Sequence, residues 1–136
     1  MRTQRTSALL VSALGAFCIG CQDFGTPTIP LAEDGNFIVF VSNQSSEVDP
    51  VDIQLYIDGR LAVDQDFAHR GGHNWIEFEY QLEGDTHTLR CVSRKGQAET
   101  SRVMVLSASP WAVVDYWRNG TGGITVSLLS QPPLFR

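Results

Sequence analysis

The side chains able to do chemistry are few and widely spaced. His69 and His73 stand four apart, and the carboxylates of Asp64 and Asp66 lie just upstream. Imidazole and carboxylate are zinc-ligand types, so His69, His73 and Asp66 form the candidate metal set. The intervening Arg70-Gly71-Gly72 reads as a flexible loop rather than a helix that would fix both rings. Solvated loop histidines are the competing expectation. Other loop carboxylates, among them Glu47, Asp49, Asp52 and Asp58, are of the type that binds calcium, but no EF-hand loop is present. Asp58-Gly59 is explained by turn chemistry. Nothing fixes a carboxylate pair at glycosidase spacing. There is no Gly-x-Ser-x-Gly elbow and no glycine-rich phosphate loop. Cys91 shares a strand face with Leu89 and Ser93 and reads as a core thiol. No catalytic residue is assigned and no cofactor is expected. Aromatic rings are the strongest remaining signal. Trp75 projects opposite the apolar face of its strand, and Trp111, Tyr116 and Trp117 crowd one short run. Trp75, Trp117 and Tyr56 form the candidate binding surface, because aromatic rings combine large area with a polar handle.

These residues must be positioned by strands. From Asn36 onward, β-rich runs cover 36–43, 51–57, 60–67, 74–82, 86–93, 97–107, 111–118 and 123–130, each bounded by turn residues. That spacing predicts an all-β antiparallel sandwich of about seven to eight strands. Ile76, Phe78, Tyr80 and Leu82 alternate with Trp75, Glu77, Glu79 and Gln81, which is a strand with one buried side. Runs 36–43 and 103–106 are apolar on both faces and are expected as central or covered strands. Between 51–57 and 60–67, a two-residue turn at Asp58-Gly59 would set the apolar residues on opposite faces. A three-residue loop with a glycine bulge would align Leu55 with Leu61 and Ile53 with Val63. Hydrophobic register favours the bulged loop.

The chain has 136 residues, 10 basic and 15 acidic, for a formal net charge of −5, and its single lysine is Lys95. No nucleic-acid partner is expected, because neutralising phosphates needs concentrated Lys and Arg. Residues 22–35 contain Gly25, Pro27, Pro30 and Gly35 and read as a linker. Before them, Arg2 and Arg5 precede an unbroken apolar or small run from Ala8 to Ile19, ending at Gly20-Cys21. A positive region, a short apolar core and a small residue before a break form a secretory signal.

Cys18-Ile19-Gly20-Cys21 resembles the lipobox of bacterial lipoproteins. Gly20 and Cys21 match it, and Cys18 stands where leucine is usual. The resemblance implies cleavage before Cys21, lipidation of its sulfur and membrane anchoring through acyl chains. It also implies a place in the cell envelope. Gln22 follows the cysteine rather than an aspartate, which favours the outer membrane over the inner one where the cell has both. Cleavage would leave 116 residues and, with Arg2 and Arg5 gone, a formal charge of −7. The organisation expected is a signal peptide at 1–20, a lipid-anchored linker at 21–35 and a β-domain at 36–136.

The stretch from Leu82 to Cys91 resembles the entry to a late strand of immunoglobulin-like sandwich domains, with His87 in the place of the corner aromatic. The paired cysteines of antibody domains are absent from the mature chain. The resemblance implies an immunoglobulin-like sandwich and no particular ligand. The expected function is a non-catalytic binding or interaction module, with an envelope protein or glycan as partner. The alternatives are a metal-dependent or hydrolytic envelope protein using loop His and Asp residues, or an inhibitor-like accessory protein acting through an edge strand.

Overall fold

The computed structural model describes residues 28–71, 74–118 and 122–135. The strands are β1 (Phe37–Asn43), β2 (Val51–Ile57), β3 (Arg60–Phe67), β4 (Ile76–Tyr80), β5 (Thr86–Ser93), β6 (Ala98–Val105), β7 (Trp111–Trp117) and β8 (Gly123–Leu129). Each coincides with one β-rich run of the sequence, and no helix forms among the described residues. The strands make two four-stranded sheets, ordered β4-β1-β7-β8 and β3-β2-β5-β6. Neighbours are antiparallel, except that β1 and β7 run parallel.

Period-two alternation builds the core between the sheets. Phe37, Val39 and Val41 of β1 and Ala112, Val114 and Tyr116 of β7 face inward from the first sheet. Val51, Ile53, Leu55 and Ile57 of β2 and Leu89 and Cys91 of β5 face them from the second. Two buried tyrosines tie the layers together. Tyr80 Oη donates to the Ala62 carbonyl at 2.8 Å, and burial pushes its pKa up to about 12, which keeps the donor protonated. Tyr116 Oη reaches the Gly96 carbonyl at 3.5 Å. Gly96 has no room for a side chain, since a Cβ there would lie 2.4 Å from the Tyr116 ring.

Three sequence expectations are revised. The β2–β3 connection is a two-residue turn, with Asp58 at φ 51° and Gly59 at φ 77°, rather than a three-residue bulged loop. Two left-handed residues suit the twist of a tight hairpin. The turn pairs Tyr56 with Leu61, and an irregularity at Ala62 then brings Leu55 opposite Val63. One inserted residue flips the side-chain phase, so the bulge restores the apolar register without lengthening the turn. Run 103–106 does not lie in a central strand. It ends the edge strand β6, where Val103 is 66% exposed and Val105 is 41% exposed.

The third revision concerns the end of the linker. The N–H groups of Thr28 and Ile29 donate to the Leu61 carbonyl of β3, and Ala32 N–H donates to the Glu79 carbonyl of β4. Gly35 N–H donates to the Glu79 carboxylate. Ile29 is buried in the core cluster. Residues 28–35 therefore join the edges of both sheets, and the folded unit includes Thr28 rather than beginning at Asn36. The driving force is burial of Ile29 together with satisfaction of edge carbonyls.

Candidate binding face

The outward face of the first sheet carries an aromatic layer. Strand β1 contributes Ile38, Phe40 and Ser42; β7 contributes Trp111, Val113, Asp115 and Trp117. The register sets Phe40 beside Val113 and Ser42 beside Asp115, while β4 brings Glu77 beside Phe40 on the other side. Trp75 immediately precedes β4. Its indole Nε1–H donates to Asp115 Oδ1 at 2.8 Å, and Ser42 Oγ donates to the same oxygen at 2.5 Å. Asp115 thus orients the Trp75 ring through one hydrogen bond and is itself held by the bond from Ser42. Gln44 Nε2 donates to Ser42 Oγ at 2.7 Å and to Asn74 Oδ1 at 3.3 Å, which extends the polar support.

Over this layer lies the C-terminal segment. The Phe135 ring stacks on Trp75, with centroids 4.1 Å apart and planes 17° apart. It meets Phe40 edge-on at 5.0 Å. These are the offset and T-shaped arrangements that ring quadrupoles prefer. Phe135 remains 39% exposed and Trp117 is 42% exposed. Val113 points outward yet is buried. A cleft of about 300 Å³ beside Trp75 is lined also by Asp66, Phe67, Ala68, Arg70 and Asn74.

Of the three aromatic residues singled out in the sequence, Trp75 and Trp117 share this face. Tyr56 does not, because β2 belongs to the other sheet. There its hydroxyl donates to Gln54 Oε1 at 3.2 Å, and the Arg90 guanidinium sits 5.3 Å from its ring centroid. Tyr56 and the two tryptophans therefore cannot form one platform. Phe40, Ser42 and Phe135 were not singled out. Phe40 lies on a strand apolar on both faces, and Phe135 follows Pro132-Pro133-Leu134, where no periodicity signals a fold-back contact.

The candidate metal residues have other partners. Asp66 takes a 2.8 Å ion pair from Lys95. His69 forms an isolated bridge with Asn43; its N–H donates to Asp49 Oδ1 at 2.9 Å, and its Nδ1 lies 3.4 Å from the Asn43 carbonyl. His73 lies outside the described residues. Among the described residues, no three His, Cys, Asp or Glu groups converge as a metal site would require. Cys91 is fully buried, and burial pushes its thiol pKa up to about 12, so it holds no thiolate nucleophile.

No known protein family, curated protein or solved structure matches this chain.

At the opposite end of the sandwich from Trp75, His87 is buried beside the β2–β3 turn. Its Nδ1 lies 2.7 Å from Asp58 Oδ2 and its Nε2 lies 3.1 Å from the Gly84 carbonyl. Both partners are acceptors, so both ring nitrogens donate and the imidazolium fits the site. Desolvation alone would lower the His87 pKa. The bonds to Asp58 and Gly84, with the charges of Asp58 and Asp85, outweigh it and hold the pKa above its ordinary 6.5. Desolvation likewise opposes ionisation of Asp58, but the bonds from His87 and Thr88 N–H, with the His87 charge, hold its pKa below 3.8. A cation with both nitrogens committed is a poor general base, and the pair acts as a clasp between the β2–β3 turn and β5.

Proposed function

We propose that this protein is a lipid-anchored, extracytoplasmic binding module of immunoglobulin-like type, without catalytic activity. In this reading the contact surface is the outward aromatic face of the first sheet. The carrying observation is the layer of Trp75, Phe40 and Trp117, with Trp117 partly open to solvent, Phe135 laid over Trp75 and Phe40, and the Trp75 indole bonded to Asp115. Large, rigid rings on a fixed sheet lose little entropy on binding, and such residues dominate binding energy at contact surfaces. The partner is an envelope protein or glycan.

Cys21, which lies outside the described residues, is the lipidation site in this reading. Between it and Thr28 the backbone can span at most about 25 Å. The hydrogen bonds of Thr28 and Ile29 to Leu61 would then hold the Asp58–His87 end of the sandwich near the bilayer. The aromatic face would stand roughly along the membrane normal, accessible from the side. In this reading the envelope location, and the outer membrane in a two-membrane cell, are what the likeness of Gly20-Cys21-Gln22 to a lipobox implies.

Two measurements test the reading. Cys21→Ser should leave the chain unprocessed and free of acyl label; a variant acylated and membrane-bound like the wild type would refute the anchor. A photo-crosslinking side chain at position 117 should trap an envelope component in intact cells, whereas one at position 56 should not. Equal yields from both positions, or none from 117, would refute the contact surface.

A further inference from the structure

The segment that covers the aromatic face has the character of a bound ligand rather than of a structural element. Strand β8 is one edge of the first sheet, and Trp75 stands beside β4 at the other. The Trp75 indole reaches inward to Asp115 of β7, and residues 130–135 turn back over the outward face to bring Phe135 against it and against Phe40 of β1. They do so without joining the sheet. Pro132 and Pro133 have no N–H to donate, and among the described residues 131–135 form no hydrogen bond. Leu134 is 83% exposed. Among the described residues its ring contacts are those of Phe135, seated between the face of Trp75 and the edge of Phe40.

The receiving site, by contrast, is built. Asp115, held by Ser42, takes the Trp75 Nε1–H at the edge of the indole, which leaves the bond independent of the ring face on which Phe135 stacks. Glu77 lies beside Phe40 in the β1–β4 register and is exposed, which gives the rim a negative charge. The sequence of the occupant is Gln131-Pro132-Pro133-Leu134-Phe135, followed by Arg136. Prolines restrict an extended segment before it binds and so reduce the entropy lost on docking. In the sequence a basic residue follows the aromatic one, the charge sign that complements Glu77.

We propose that Trp75 and Phe40 form a socket for an aromatic side chain carried on an extended, proline-containing polypeptide with a neighbouring basic residue. Phe135 occupies that socket from within the same chain. The strap is therefore an internal competitor, and a partner segment of the same chemistry must displace it. This rests on the proposed contact surface and adds to it the class of partner and a means of regulation. An effective concentration in the millimolar range, typical of a short tether, sets the affinity a partner must exceed.

The test uses the full chain with Phe135→Ala, which empties the socket and leaves β8 intact. The probes are synthetic peptides Leu-Ser-Gln-Pro-Pro-Leu-Phe-Arg and the same peptide with alanine in place of phenylalanine, titrated by calorimetry and tryptophan fluorescence. The phenylalanine peptide should bind the variant saturably and at least tenfold more tightly than it binds the wild type. The alanine peptide should bind at least tenfold more weakly, and adding Trp75→Ala should abolish binding. Equal binding of the two peptides, no saturable binding at millimolar peptide, or equal affinity for wild type and variant would overturn the proposal. Should Phe135→Ala alone unfold the chain, Phe135→Leu replaces it, with the same outcomes required. Crosslinking from position 117 with no peptide binding would remove the socket and keep the contact surface. Peptide binding with a silent position 117 would do the reverse.

Discussion

The outward faces of the two sheets follow the same alternation rule and solve the problem of exposure differently. On the second sheet, Arg90 pairs with Glu99 at 2.7 Å and covers Tyr56, and Lys95 reaches Asp66 at 2.8 Å. Around Tyr56 and Asp66 that face carries ion pairs exposed to water, while Val103 and Val105 stand exposed at its β6 edge. On the first sheet the outward positions hold Phe40, Val113, Trp111 and Trp117, and a strap crosses them to seat Phe135 on Trp75. The aromatic rings of the first sheet are met by a returning segment; the two exposed valines of β6 are not. The contrast is what distinguishes the first sheet as the proposed contact surface.

The comparison can be tested from the shared core outward. Gly96→Ala should have the largest effect, because its Cβ would press into the Tyr116 ring beneath both faces. A loss of about 1–3 kcal/mol is expected from such overpacking, read as a lower urea midpoint with unchanged slope. Wild-type stability would show that the core yields there.

Trp75→Ala should cost about 1–2 kcal/mol through the lost ring stack and the lost bond to Asp115. Trp75→Phe keeps a ring but not the Nε1–H, and should recover about half of that loss. Failure to recover would mean that the hydrogen bond, not the stack, holds the layer.

The second sheet contributes a pH-dependent element. Because the His87 pKa is raised, its stabilisation is complete below pH 6.5 and is lost as pH rises through the folded value. Because the Asp58 pKa is lowered, its contribution is present above pH 3.8 and lost as pH falls through the folded value. The clasp should thus stabilise most between these limits. His87→Gln should narrow the stability difference from wild type on the alkaline side of 6.5, measured by thermal melts across pH. A constant difference from pH 5 to 9 would show that His87 acts without its charge.

The smallest effect is expected at Arg90. Its partner Glu99 is itself well exposed, and such pairs are weak and screened by salt. Arg90→Ala should leave the melting temperature unchanged within error. A clear drop would mean that the charged face, like the aromatic one, is a cooperative layer.

Sequence alone carried the local architecture. Alternation of Val51, Ile53, Leu55 and Ile57 with polar residues specifies a strand with one buried side, because side-chain direction has period two. The same period sets Trp111, Val113, Asp115 and Trp117 on one face, though not which way that face points, and a core role for Cys91 was legible. Pairing between distant strands was not legible. Tyr56 and Trp117 look equivalent along the chain, and only the division into two sheets sets them on opposite sides. The Asp58-Gly59 turn was decided by its backbone preference, with a bulge at Ala62 absorbing the register conflict that the hydrophobic pattern had raised. The docking of Ile29 and Phe135 also waited on tertiary structure. Both lie in proline-containing segments without periodicity, and what fixes them is a pocket assembled by residues far away in the chain. Period and turn chemistry act over a few residues and can be read there; which face remains uncovered, and which segment returns to cover it, is a property of the assembled sheets.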